Sequence, residues 1–333
     1  MTVANDWRVY TQKPRSDAEF TPWVPSVTLR AGIDDPRGYL PDVGLVDAVN
    51  VALALGHPLL VTGEPGTGKT QLGASIAHQL RLGTPLFFHT KTTSTARHLF
   101  YRYDALRHFQ DANLRRETSA PVDVNETFRK YIEFQALGLA IMLGMPRDDV
   151  ARWLPAEYAD TPRTRSVIVI DEVDKAPRDL PNDVLYEIEH LAFTVNETGK
   201  SFVSTPEWRP IVVLTSNSEK LLPDAFLRRC VFYHLPFPDH DHLRDIVATR
   251  LGRERIEGQH WIGDAIARFE AIRELPLKKK PATAELLSWL QILERVGRES
   301  GGNPVRGNLP PESLTVLAKN KDDLKILRDQ RSP

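Results

Sequence analysis

The run Gly63-Glu64-Pro65-Gly66-Thr67-Gly68-Lys69-Thr70 constrains this chain more than any other part of it. It follows the apolar stretch Pro58-Leu59-Leu60-Val61 and precedes a helical pattern from Gln71 to Leu80. A glycine-rich turn between a strand and a helix lets backbone N–H groups curl around phosphate oxygens, and the helix N-terminus adds favourable potential. In such a loop the lysine, here Lys69, supplies charge to the outer phosphates, and the hydroxyl of Thr70 can ligate Mg²⁺. Glu64, Pro65, Gly66, Thr67, Gly68 and Gln71 complete the expected nucleotide contacts.

Short apolar runs recur at Leu86-Phe87-Phe88, Val167 to Ile170, Ile211 to Leu214 and Val231-Phe232-Tyr233, with helical patterns between them. This alternation predicts a parallel sheet covered on both faces. The run ending at Ile170 delivers Asp171 and Glu172 to a strand's carboxyl end, where open α/β sheets bind ligands. Asp171 is expected to hold the metal, and Glu172 to orient and deprotonate an attacking water. Thr215-Ser216-Asn217 closes another strand, and the Asn217 amide is placed to reach the terminal phosphate or that water. A turn-forming asparagine at a strand end is the competing reading.

Other segments are coarser. Apolar residues from Leu45 to Leu55 predict a helix buried on one broad face and ended by Gly56. Thr92 to Phe109 reads as a helix, followed by a polar stretch, Asp111 to Asn125, and a second apolar segment. Phe193 to Lys200 alternates through a turn and reads as a hairpin or an exposed loop. Beyond Pro236 and Pro238 the pattern becomes helical, around Leu243 to Leu251, Ile262 to Ile272, and Leu286 to Leu293 with Thr283 as N-cap. The expected division is an extended arm over 1–36, an α/β domain over 37–236 with a helical insertion and a hairpin, and a helical lid and tail over 237–333. The arm, with Trp23 and Val24 as anchors, reads equally as a loosely ordered terminus.

Taken together, the GEPGTGKT loop, the VIVIDE strand, the LTSN strand end and Leu222-Pro223-Asp224-Ala225-Phe226-Leu227-Arg228-Arg229 resemble the AAA+ ATPases of the MoxR type. The match spans roughly Gly38 to Leu290. The resemblance implies an α/β P-loop NTPase core, a five-stranded parallel sheet between helices, followed by a small α-helical lid. It implies ATP and Mg²⁺ as ligands and a homo-oligomer, usually a hexamer. Arg229 stands where the family has an arginine that reaches the neighbouring subunit's terminal phosphate; Arg228 beside it, where an acid is usual, leaves two candidates. Asn217 resembles the first sensor, and Gly38-Tyr39-Leu40-Pro41 the adenine-side linker. The second sensor departs from the pattern, since Lys278-Lys279-Lys280-Pro281 replaces a Pro-Arg pair and Lys280 is the substitute, unless the run is a solvated loop. The family's partner is commonly a von Willebrand factor A-domain protein.

Composition narrows the function classes. Lys plus Arg total 43 against 44 Asp plus Glu, a net charge of −1, so no global attraction to nucleic acid or anionic membrane is expected. The single cysteine, Cys230, allows no internal disulfide and fits a reducing, cytoplasmic setting. The best bilayer candidate, Phe134 to Met145, is interrupted by Gln135 and Gly138 and is too short to span one. Asn320-Lys321-Asp322-Asp323 matches a guanine-reading motif by composition, but it lies far from the phosphate loop. His234, His240 and His242 lack the spacing of a structural metal site. The motifs predict ATP turnover, and the resemblance implies that it drives remodelling of a partner protein; a slow-turnover nucleotide switch for a signalling or defence effector is the alternative.

Overall fold

The computed structural model describes residues 35–115, 128–177, 187–218, 222–252, 261–300 and 303–329. Most of the N-terminal arm and of the polar stretch over 111–125 therefore lies outside the described residues. Asp42 caps helix α1 (Val43–Leu55) by accepting the Leu45 N–H at 2.8 Å, and Gly56, at φ 65°, ends it. Strand β1 (Leu59–Gly63) leads through the glycine-rich loop into α2 (Lys69–Gln79), then β2 (Leu86–His89).

The next segment corrects the expectation of one helix over 92–109. A short helix α3 (Arg97–Phe100) breaks into β3 (Tyr101–Tyr103), and α4 (Ala105–Arg115) follows. The alternating aromatics of β3 pair antiparallel with β4 (Ile132–Phe134), setting Tyr101 opposite Phe134. Tyrosine and phenylalanine fit a pleated, half-buried ribbon better than a helix interior. After β4, every residue of α5 (Ala136–Leu143) is buried. The best bilayer candidate of the sequence is thus an eight-residue core helix. Among the described residues no helix is long and apolar enough to cross a membrane.

A one-turn helix α6 (Arg147–Val150) precedes β5 (Val167–Asp171). Strands β6 (Ala192–Val195) and β7 (Lys200–Val203) form an antiparallel hairpin, followed by β8 (Ile211–Ser216), the short helix α7 (Asp224–Leu227) and β9 (Val231–Leu235). Among the described residues, five strands make one parallel sheet in the order β2-β5-β8-β1-β9. Strand alternation divides its side chains between two cores. Leu60, Ile168, Ile170, Val212 and Leu214 face α5 and the hairpin aromatics Phe193 and Phe202. Leu59, Val61, Val167 and Val213 face α1 and α2.

Helix α1 is buried less broadly than its composition predicts. Only Leu45 and Ala52 are buried, while Val43 is 78% and Leu55 59% exposed. Its apolar residues occupy more of the circumference than the sheet can cover.

After Leu235 the chain is helical: α8 (His240–Leu251), α9 (Trp261–Arg273), α10 (Thr283–Ser300), α11 (Pro311–Leu317) and α12 (Lys321–Asp329). These helices bury a separate cluster around Phe269, Leu286, Trp289 and Leu293. The last two helices use Leu314, Leu317 and Leu327 to close it. The run over 320–323 belongs to this packing: Asn320 Oδ1 accepts the Asp323 N–H at 2.9 Å, and the buried Asp323 carboxylate accepts the N–H groups of Lys278 and Lys279 at 2.8 and 3.1 Å.

Candidate nucleotide-binding site

The strand order brings the carboxyl ends of β5, β8 and β1 together, β8 lying between the other two. Segments far apart in sequence meet there. Lys69 Nζ donates to the carbonyl oxygens of Gly63 and Glu64, both at 2.8 Å, and to Asn217 Oδ1 at 3.2 Å. Burial pulls its ammonium below the usual lysine range, opposed by the carboxylates of Asp171, Asp174, Glu172 and Glu64. Thr70 Oγ1 donates to Asp171 Oδ1 at 3.1 Å, and the Thr215 hydroxyl donates to the same oxygen. The Glu172 N–H donates to Thr215 Oγ1 at 3.0 Å.

Glu172 holds φ at 56°, a left-handed conformation that a non-glycine residue adopts at a cost of about 1–3 kcal/mol. Its carboxylate accepts from Lys175 Nζ at 2.5 Å. In the phosphate loop, Gly66 and Gly68 take φ of 80° and 93°, which a side chain would resist. The Thr67 hydroxyl ties the turn by donating to the Glu64 carbonyl at 2.9 Å.

These residues line a cleft of about 780 Å³ between the sheet and the helical layer. That volume lies in the range of small-molecule sites, roughly 300–1,000 Å³. Its walls include Tyr39, Leu40, Pro65 to Gln71, Asp171, Glu172 and Asn217, with Phe237, His242, Ile246, Arg250, Thr283, Ala284 and Leu287 opposite. The Tyr39 ring lies close to Gly68, where an added Cβ would meet it at 3.3 Å. Burial first, then the Asp42 carboxylate, pushes the Tyr39 phenol well above the usual tyrosine range. The Leu40 carbonyl accepts from His242 Nε2 at 3.1 Å.

Three sequence candidates lie elsewhere. Arg228 and Arg229 are exposed and do not line the chain's own cleft; Arg229 Nε stands 4.0 Å from Glu189. Lys280 is also exposed and outside the cleft. The Lys278–Lys279 backbone is pinned to Asp323, and that anchoring holds the lysine run away from the loop.

The lid residue that does reach the loop is Arg273, which the sequence reading missed. Its Nη2 stands 2.8 Å from Glu64 Oε2, its Nη1 donates to the Pro281 carbonyl, and its guanidinium lies 3.4 Å from the Phe237 ring centroid. Arg250 likewise donates to Gln71 Oε1 at 3.1 Å. Both carried a legible signal. Arg273 falls four residues after Phe269, and Arg250 four after Ile246, so each sits on the apolar face of its helix. The three histidines serve different partners: His234 meets Thr62 Oγ1 at 3.0 Å, His240 meets Glu270 at 2.8 Å, and His242 meets Leu40.

Among the described residues no group of three or more His, Cys, Asp or Glu side chains forms a metal cage. Mg²⁺ does not require one, because it commonly takes one or two carboxylates together with substrate phosphates. The Thr70 hydroxyl and Asp171 carboxylate, two hard oxygen donors 3.1 Å apart at the phosphate loop, fit that pattern.

A parallel sheet of this order carrying a phosphate loop on β1 and paired acids on β5 defines a P-loop NTPase core of the AAA+ type. The AAA domain model of the dynein-related subfamily matches residues 58–230, just over half of the 333 residues, and the chain belongs to that family. No curated protein matches the chain. Among solved structures, the AAA domain of FIGL-1 in complex with ADP is 15% identical, covering 88% of this chain and 82% of that one at a TM-score of 0.40. RuvB of Thermotoga maritima is 13% identical in two single-substitution variants. One alignment covers 86% of this chain and 66% of the RuvB chain at a TM-score of 0.42, and the other covers 91% and 73% at 0.43.

Proposed function

We propose that the chain is a Mg²⁺-dependent AAA+ ATPase of the MoxR type, with residues 37–236 as its nucleotide-binding domain and 237–333 as lid and tail. The observation that carries this reading is the convergence of Lys69, Thr70, Asp171 and Asn217 within hydrogen-bonding distance at the carboxyl ends of the interior strands. The loop N–H groups and Lys69 bind the phosphates, and Thr70 and Asp171 would hold Mg²⁺, which when bound neutralises phosphate charge. Tyr39 and Leu40 flank the base. Glu172 accepts the proton of the attacking water, and Asn217 orients that water or the terminal phosphate.

Arg229, or its neighbour Arg228, serves the adjoining subunit. Two exposed arginines that do not line the cleft of their own chain suit a donor acting in trans, and a ring, a hexamer by resemblance, supplies the geometry. Hydrolysis then drives remodelling of a partner, for which the resemblance points to a von Willebrand factor A-domain protein.

One observation favours the slow-switch reading: Lys175 occupies Glu172 Oε2 at 2.5 Å, so the base must be released before it can work. ATP turnover per subunit, measured against protein concentration with GTP in parallel, tests both readings. A specific rate that climbs with concentration is the expected result. An appreciable rate in a species of proven monomeric mass overturns the trans arginine. Tight ATP binding with no turnover at any concentration, even with a partner, establishes the switch instead.

A further inference from the structure

A second cavity, of about 230 Å³, opens in the helical layer where α9, α11 and α12 meet. Helix α9 lends it Arg268 and Ile272, one turn apart, α11 lends Leu314, and α12 lends Leu327 and Arg328. Leu309, from the segment before α11, adds to the apolar lining. Ile272, Leu314 and Leu327 are each 4% exposed and belong to the core of the layer, so the floor is fixed before anything binds. Every lining residue lies beyond residues 58–230, the part that the AAA family model matches.

The rim is cationic, and its charge is uncompensated. Arg268 is half-buried and Arg328 exposed, and neither makes a hydrogen bond or ion pair among the described residues. Neighbouring acids on the same helices are engaged elsewhere. On α9, Asp264 accepts from Asn303 at 3.1 Å, and Glu270 meets His240 at 2.8 Å. On α12, Asp322 accepts from Lys278 Nζ, and Asp323 from the backbone of Lys278 and Lys279. The lining itself includes no acid and no aromatic ring.

We propose that this cavity docks an acidic peptide segment of a partner protein, with an apolar side chain on the aliphatic floor and flanking carboxylates paired with Arg268 and Arg328. Arginine suits that place, since its planar guanidinium is weakly hydrated and takes a carboxylate through two parallel bonds. The volume falls below the roughly 300–1,000 Å³ of small-molecule sites, which leaves room for one or two side chains rather than a cofactor. A free phosphate would leave the floor wet, and a single-stranded nucleic acid would find no ring on which to stack. The seat also adjoins the lid's hold on the nucleotide cleft: Ile272 precedes Arg273, which holds Glu64 of the phosphate loop. A docked partner thus grips the helix that fastens the lid. The inference goes beyond the ATPase reading and does not depend on nucleotide turnover.

The test follows the anisotropy of a fluorescein-labelled peptide, Gly-Glu-Glu-Leu-Phe-Glu-Glu-Gly, on the full chain and on R268E, R328E and K69A. The parent and K69A should bind it alike, with an affinity that falls as salt rises. R268E and R328E should each lose about tenfold or more, while their melting temperatures match the parent because neither arginine gives up a partner. Alanines in place of the peptide's leucine and phenylalanine should weaken binding, and lysines in place of its glutamates should abolish it. No binding by the parent, binding that both arginine variants keep, or equal binding of the alanine-substituted peptide overturns the proposal. So does tighter binding, lost in the same variants, of an oligo-dT strand or of a peptide copying residues 16–24, whose Asp17-Ala18-Glu19-Phe20 has the same chemistry. Those results would make the occupant nucleic acid or the chain's own arm.

Discussion

The two walls of the cleft are built on opposite terms. On the sheet wall the polar groups are committed to one another: Lys69 to two carbonyls and Asn217, and the Thr70 and Thr215 hydroxyls to Asp171. The lid wall meets it through Arg273 to Glu64 and Arg250 to Gln71, and buries the Thr283 hydroxyl with no partner among the described residues. Groups held by each other in a partly buried site stay oriented without a ligand, so the sheet wall is preorganised. A wall fastened by two long side chains can re-seat. Binding energy is therefore available for lid closure on one side, while on the other the proposed chemistry needs the release of Glu172 from Lys175.

The largest effect that would break this contrast belongs to neither wall. Arg229→Ala should lower turnover by about 10³ to 10⁵ while ATP binding persists, and mixing with E172Q subunits should restore part of the rate if the arginine acts in trans. Glu172→Gln, on the sheet wall, should cost about 10² to 10⁴ in turnover and leave ATP affinity intact, trapping the nucleotide-bound oligomer. Normal turnover in that variant would remove Glu172 from the role of base. Lys69→Ala should weaken ATP about 100-fold or more in equilibrium binding, since charge-assisted bonds to phosphate are lost.

The lid wall should respond more gently. Arg273→Leu removes an ion pair whose Glu64 end is 48% exposed, together with a contact on the Phe237 ring. Solvent screening discounts the ion pair, so a loss of about 1–2 kcal/mol in unfolding free energy is expected from denaturation, with a larger effect on ATP affinity than on ADP affinity. The smallest effect concerns Cys230, beside the sheet core, whose thiol burial pushes up to about 12. Because its folded value lies above the ordinary 9.0, the thiol stays neutral in the native chain, and its contribution to stability is lost as pH rises from 9 toward 12. Native alkylation at pH 8 should be much slower than in urea; equal rates would show an open, reactive thiol.

Where sequence patterns misled, tertiary packing had decided between local options. The residues from Thr92 to Phe109 have helical content, yet Tyr101 and Tyr103 form a strand because Phe134 and Ile132 offer a partner ribbon. Helix α1 ends where its cap and glycine say it must, but how much of it is covered depends on the sheet behind it. Lys280 has the charge of a lid arginine but lies exposed outside the cleft, beside Lys278 and Lys279, whose backbone the Asp323 carboxylate pins.

The phosphate loop, the acids closing β5 and the amide after β8 were legible because each is a contiguous run whose chemistry follows from strand, turn and helix in order. Their roles need only local backbone geometry and a parallel sheet, and alternating apolar runs specify both. Which lid side chains meet the loop is different in kind. It depends on how α9 and α10 dock, and that angle follows from burying Phe237, Ala282 and the helical core together. Contacts such as Arg273 to Glu64, 209 residues apart, and the burial of the Thr283 hydroxyl arise only once those surfaces close.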